Sequence, residues 1–112
     1  MNSAAAINKR SEARKGVNGR GRIVFADKIA FLECTILDAS PSGAHIRLGR
    51  KTALPSQFYL LNIRNRTVHT ATIAWSNAEH AGLRFTESYV LGSELPTDFD
   101  FMRKHWLECA TR

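Results

Sequence analysis

The sequence predicts a mainly β domain, a small antiparallel barrel or sandwich carrying one C-terminal α-helix. Three observations support this. Apolar runs rich in branched and aromatic residues recur about every ten residues, separated by clusters of Asp, Asn, Gly, Pro and Ser. The period changes only near the end, where Phe99, Met102, Trp106 and Cys109 fall on one helical face. A chain of 112 residues, 44% hydrophobic and 23% charged, is sized for one globular core.

Residues 1–19 have no sustained apolar period and read as a flexible basic arm ahead of a barrel spanning 20–112. Arg22-Ile23-Val24-Phe25 begins the first strand, and Ala26-Asp27-Lys28 reads as a hairpin loop. Ile29 to Leu37 is a second strand whose poor alternation means that both faces are covered or that it bends. Asp38-Ala39-Ser40-Pro41-Ser42-Gly43 is a turn, with Pro41 presetting φ. Ala44 to Leu48 is the third strand and Gln57 to Ile63, after Pro55, the fourth. Thr67 to Trp75 has strong β character, and after Ser76-Asn77-Ala78 a sixth strand runs from about His80 to Phe85. Asp98 to Cys109 is the helix, with Thr97 as its N-cap after Pro96. Its aromatic stripe is read as packing against the barrel.

Charge separates the arm from the body. Residues 1–22 carry six basic side chains (Lys9, Arg10, Arg14, Lys15, Arg20, Arg22) against Glu12, a net of +5, whereas the other ninety residues are nearly balanced at +1. A basic arm suits an anionic partner, although terminal charge can also serve only to keep a frayed tail solvated. Ala4-Ala5-Ala6-Ile7 is too short for a signal-peptide core, and no window is long enough to insert in a membrane. Cys34 and Cys109 lie far apart with no CxxC or Cys/His spacing, and Cys34 sits in an apolar run. A reducing, hence cytoplasmic, compartment is expected.

No catalytic pattern emerges. His45, His69, His80 and His105 are scattered, Ser40 and Ser42 lie in no nucleophile elbow, and no glycine-rich phosphate loop precedes a helix. The chain is therefore expected to be no enzyme and to need no metal or cofactor. Two patterns remain. Arg10 and Arg14 are four apart, which places both guanidiniums on one side of a helix or of an extended arm. Guanidinium binds phosphate in a bidentate way, pairs with the O6/N7 edge of guanine and stacks on bases. Asp38 and Ser40 are two apart, so a strand continuing through them sends both side chains from one face, with Gly43 close by. That corner can hold a polar ligand, or it can be an Asx-type turn that satisfies local backbone groups.

Taken together, RxxxR (Arg10, Arg14) and, about two dozen residues on, [D/N]xSxxG (Asp38, Ser40, Gly43) resemble the PilZ family. Ile73-Ala74-Trp75 followed by Gly82-Leu83-Arg84-Phe85 is similar to its closing hairpin, and the resemblance covers residues 9–86. It implies a six-stranded antiparallel β-barrel that binds the bacterial messenger cyclic di-GMP. By the same resemblance the arm is expected to fold over the ligand, Arg10 and Arg14 to grip phosphates and guanine, Asp38 and Ser40 to hydrogen-bond a guanine, and Gly43 to keep the corner open. Many members carry further arginines beside RxxxR, where this chain has Lys9 and Lys15. The implied function is a receptor whose arm changes conformation and signals to a downstream partner protein. A divergent, non-binding interaction module is one alternative. A basic barrel for single-stranded nucleic acid ranks behind both, because the body is near neutral and its aromatics sit in apolar runs.

Overall fold

The computed structural model describes residues 15–50, 52–92 and 94–111. Arg10 and Arg14 lie outside the described residues, as does the arm up to residue 14. Six strands form a closed antiparallel barrel: β1 (Lys15–Val24), β2 (Phe31–Ser40), β3 (Gly43–Leu48), β4 (Gln57–Asn62), β5 (Thr67–Asn77) and β6 (His80–Val90). Around the barrel the order is β1-β2-β3-β6-β5-β4, and β4 pairs back onto β1. Closure gives every strand a neighbour on each side.

Two apolar layers use the two faces of these strands. Ile23, Ile36, Ile46, Phe58, Leu60 and Leu83 fill the barrel interior. Val24, Leu61 and Val68 face outward, against Leu91, Leu95, Phe99 and Met102. Neighbours such as Leu60 and Leu61 are thus both buried, one inside the barrel and one beneath the C-terminal segment. In β2 the cause of poor alternation is different: the strand bends. Leu37 is an extra residue against β3, because Ile36 pairs with Ile46 and Asp38 with His45.

The strand boundaries differ from the sequence expectation: β2, β5 and β6 run on to Ser40, Asn77 and Val90, and β1 and β2 start elsewhere. β1 begins at Lys15, so residues 15–19, assigned above to the arm, form its first half. Further along β1 a Cβ on Gly21 would press on Cys34 Sγ and Ile36 Cδ1 at 3.0 Å, so the absent side chain makes room for the interior. β2 begins at Phe31, which leaves Ile29 in the loop and 76% exposed. There the Asp27 carboxylate accepts the N–H groups of Ile29 and Ala30, and these bonds hold its pKa below the usual carboxylate value.

The helix also starts later than expected. Thr97–Phe99 is a 3-10 turn, and α1 spans Phe101–Ala110 with Asp100, not Thr97, at its N-cap. Asp100 makes no capping bond; its carboxylate instead meets Arg103 Nε at 3.4 Å. The helix is held by its flank. Trp106 Nε1 donates to the Ile63 carbonyl at 3.0 Å, and Arg22 of β1 donates to Glu108 at 2.8 Å. No helix among the described residues is long and apolar enough to cross a membrane.

Candidate ligand-binding face

The bulge at Leu37 decides where the sequence-predicted corner points. Cys34 and Ile36 face the barrel interior, and without the extra residue Asp38 and Ser40 would follow them inside. After it, Ala39 packs on the core, so Asp38 and Ser40 leave the outer face together. His45, opposite Asp38, confirms the direction, since its neighbours Ala44 and Ile46 are both interior.

Ser40 is engaged locally. Its Oγ accepts the Ser42 N–H at 3.3 Å and donates to the Gly43 carbonyl at 3.5 Å, which fixes the two-residue turn. Asp38 is 27% exposed, and its Oδ2 lies 3.8 Å from His45 Nδ1. Gly43 pairs with Arg84 across β3 and β6, and a Cβ there would strike the Leu83 carbonyl oxygen. Its φ is ordinary, so the glycine serves the close approach of β6 rather than a left-handed turn.

A groove of about 490 Å³ opens beside this corner, bordered by Ser42, Gly43, His45, Trp75, Gly82 and Arg84. Trp75 pairs with Gly82, and the missing Cβ lets its indole lie against the β6 backbone. The ring is 47% exposed and meets His45 edge-on, centroids 5.3 Å apart. Aromatics in apolar runs had been expected in the core; this one is a wall of the groove. Arg84 is exposed on the same face.

Sequence reasoning therefore missed His45, Trp75 and Arg84 as groove residues, and His80 as the neighbour of His45. Trp75 and Arg84 lay in the hairpin singled out for its likeness, which was the available signal. The histidines gave none. They are 35 positions apart in the chain, yet His45 Nε2 and His80 Nδ1 are 2.9 Å apart, because β3 pairs with β6. His69 is separate. It stacks on Phe85 at 3.9 Å, with Ser88 Oγ 2.7 Å from Nδ1 and Thr67 Oγ1 3.1 Å from Nε2. Burial pushes its pKa down to about 4.

Burial, aided by Glu33, pushes the Cys34 thiol up to about 12, far from a reactive thiolate. Among the described residues no group of three or more His, Cys, Asp or Glu side chains could hold a metal ion.

Residues 8–90 match the family model described as the PilZ domain. The match takes in both motif halves and the β5–β6 hairpin and ends on the last residue of β6, before α1. No curated protein matches the chain.

Proposed function

This chain belongs to the PilZ domain family, and from that premise we propose that it is a receptor module for cyclic di-GMP that performs no chemistry on its ligand. One observation carries the reading. Gly16 pairs with Asp38 and Lys15 with Ala39, so β1 begins beside the strand end that carries Asp38 and Ser40. That start, one residue after Arg14 in the chain, supports a reading in which both halves of the motif serve one ligand.

The residues then divide the ligand by its chemistry. The Asp38 carboxylate accepts the N1–H and N2–H donors of guanine, which no arginine can serve. Ser40, held by the turn, supplies a hydroxyl at the same level. Arg10 and Arg14 take the phosphates and the guanine O6/N7 edge or its face. Trp75 offers a half-exposed indole for base stacking, and Arg84 adds a positive charge to the same groove. The net +4 of residues 1–20 (Lys9, Arg10, Arg14, Lys15 and Arg20 against Glu12) attracts the dianionic messenger from a distance. Ordering the arm on the ligand links messenger affinity to that of a downstream protein that recognises the ordered surface.

Calorimetric titration of cyclic di-GMP into the wild type and into Arg10→Ala/Arg14→Ala tests this. The wild type binds at micromolar concentration or tighter. The double variant loses about 100-fold, the equivalent of two charge-assisted contacts at about 1.5 kcal/mol each. No heat and no thermal shift in the wild type would sink the receptor reading.

A further inference from the structure

The end of the barrel that carries the β2–β3 turn also carries the β4–β5 turn, and a cavity of about 540 Å³ opens between them. Ile36, Ala39, Ala44, Leu60 and Phe85 give it apolar walls. Ser40 and Pro41 of one turn and Arg64 and Asn65 of the other form its rim. This mouth is distinct from the outer groove, but the two share Ala44 and Phe85 and meet at the turn.

Asn62 places a primary amide in the mouth. It alternates along β4 with Phe58 and Leu60, which fill the interior, and it is 7% exposed. Its Oδ1 accepts the Asn65 N–H at 3.2 Å, which fixes the orientation of the amide. Among the described residues Nδ2 donates to no acceptor, so a buried side chain brings an unused donor to the cavity. His69 offers no such group, because Ser88 and Thr67 engage its two ring nitrogens. Arg64 is exposed at the rim and adds a cationic donor.

A ligand suited to this mouth is flat, carries acceptors on one edge and is joined to an anion. A guanine nucleotide has that form, with O6 and N7 on one edge of the base. An adenine nucleotide does not, since an amino group replaces O6 and would set a donor against Asn62.

We propose that Asn62 is a specificity-determining residue: the barrel mouth takes one guanine of the messenger, with Asn62 Nδ2–H donating to O6, while the other guanine stays at the outer corner. The proposal rests on the receptor reading above. The messenger then straddles the Ser40–Ser42 turn, with Arg64 toward a phosphate. Its two guanines meet different groups, an acceptor at Asp38 and a donor at Asn62, so exchange of either base for adenine loses a contact.

Two measurements separate this proposal from the receptor reading. Guanosine monophosphate is titrated to millimolar concentration while the side-chain amide of Asn62 is followed by NMR. That resonance moves with guanosine monophosphate and stays in place with adenosine monophosphate. A resonance that is fixed with both, or moves equally with both, overturns the proposal. Cyclic di-GMP and the mixed cyclic dinucleotide with one adenine are then titrated into the wild type and Asn62→Asp. The variant keeps an acceptor for the Asn65 N–H and presents a second oxygen in place of Nδ2, with circular dichroism confirming that it folds. The wild type prefers cyclic di-GMP about tenfold, the size of one hydrogen bond replaced by two facing donors. In Asn62→Asp the ratio falls to one or below; the added negative charge weakens both dianionic ligands and cancels in the ratio. An unchanged ratio overturns the proposal while leaving the receptor intact. Absence of wild-type binding by either dinucleotide instead overturns the receptor reading, and the monophosphate arm alone then decides whether Asn62 reads a guanine.

Discussion

The seam between β1 and α1 and the corner at Asp38 use similar groups to opposite ends. At the seam, Arg22 is 1% exposed, with its guanidinium 3.6 Å above the Phe31 ring. One of its nitrogens reaches Glu108 at 2.8 Å and His105 Nδ1 at 2.9 Å, and another is 3.5 Å from Glu33. His105 Nε2 lies 3.1 Å from the Lys28 carbonyl, so that nitrogen carries the hydrogen and Nδ1 is left to accept from Arg22. The Arg22 bond also holds the Glu108 carboxyl below its usual pKa. At the corner, Asp38 and His45 are more than a quarter exposed and stand 3.8 Å apart. Short contacts around a buried cation fasten one element to another. At the corner the longer, more exposed pair fastens no helix to the barrel.

Substitutions can break this comparison, and the largest expected effect is at the seam. Arg22→Ala removes the ion pair, the stacking and a buried volume together. It lowers stability by about 3 kcal/mol, read from urea unfolding, and amide exchange across residues 101–110 accelerates. A loss below about 0.5 kcal/mol, the size of an ordinary surface change, would mean that the seam does not hold the helix.

Gly43→Ala comes next. Its methyl meets the Leu83 carbonyl, so β3 and β6 separate locally at a cost of about 2 kcal/mol. The variant should melt earlier and show fast exchange along β3. An unchanged melting temperature would return Gly43 to a ligand role alone.

His69 gives a pH effect. Its folded value of about 4 lies below the ordinary 6.5 of an unfolded histidine, so the unfolded chain binds more protons between these values. Stability is fully present above about pH 6.5 and declines toward pH 4. The loss is on the order of 2 kcal/mol once partial exposure is allowed for. His69→Gln should flatten that slope; a parallel decline in both proteins would place the acid sensitivity elsewhere.

The smallest stability effect is expected at the corner. Asp38→Asn changes unfolding by no more than about 0.5 kcal/mol, yet messenger affinity falls about tenfold with loss of the guanine contact. If stability falls as far as in Arg22→Ala, the corner is a structural seam too, and the contrast fails.

The sequence by itself determined the β class, the six strands, a terminal helix and the turn that carries Asp38, Ser40 and Gly43. Hydrophobic period and turn chemistry are local, so they survive in one dimension. It also held the family likeness, because motif spacing is linear. Tertiary structure decided the rest. The outward aim of Asp38 depends on one extra residue against β3, and in the sequence Leu37 reads as one more apolar residue of its run. Gly43 looked like a turn residue, but the Leu83 carbonyl that approaches it from β6 leaves no room for a Cβ. Arg22 read as basic-arm charge until closure of the barrel buried it beneath α1. His45, His80 and Trp75 meet on the outer face only because β6 lies between β3 and β5. Strand order is fixed by how a closed sheet pairs its edges over the whole chain, and no window of sequence contains that information.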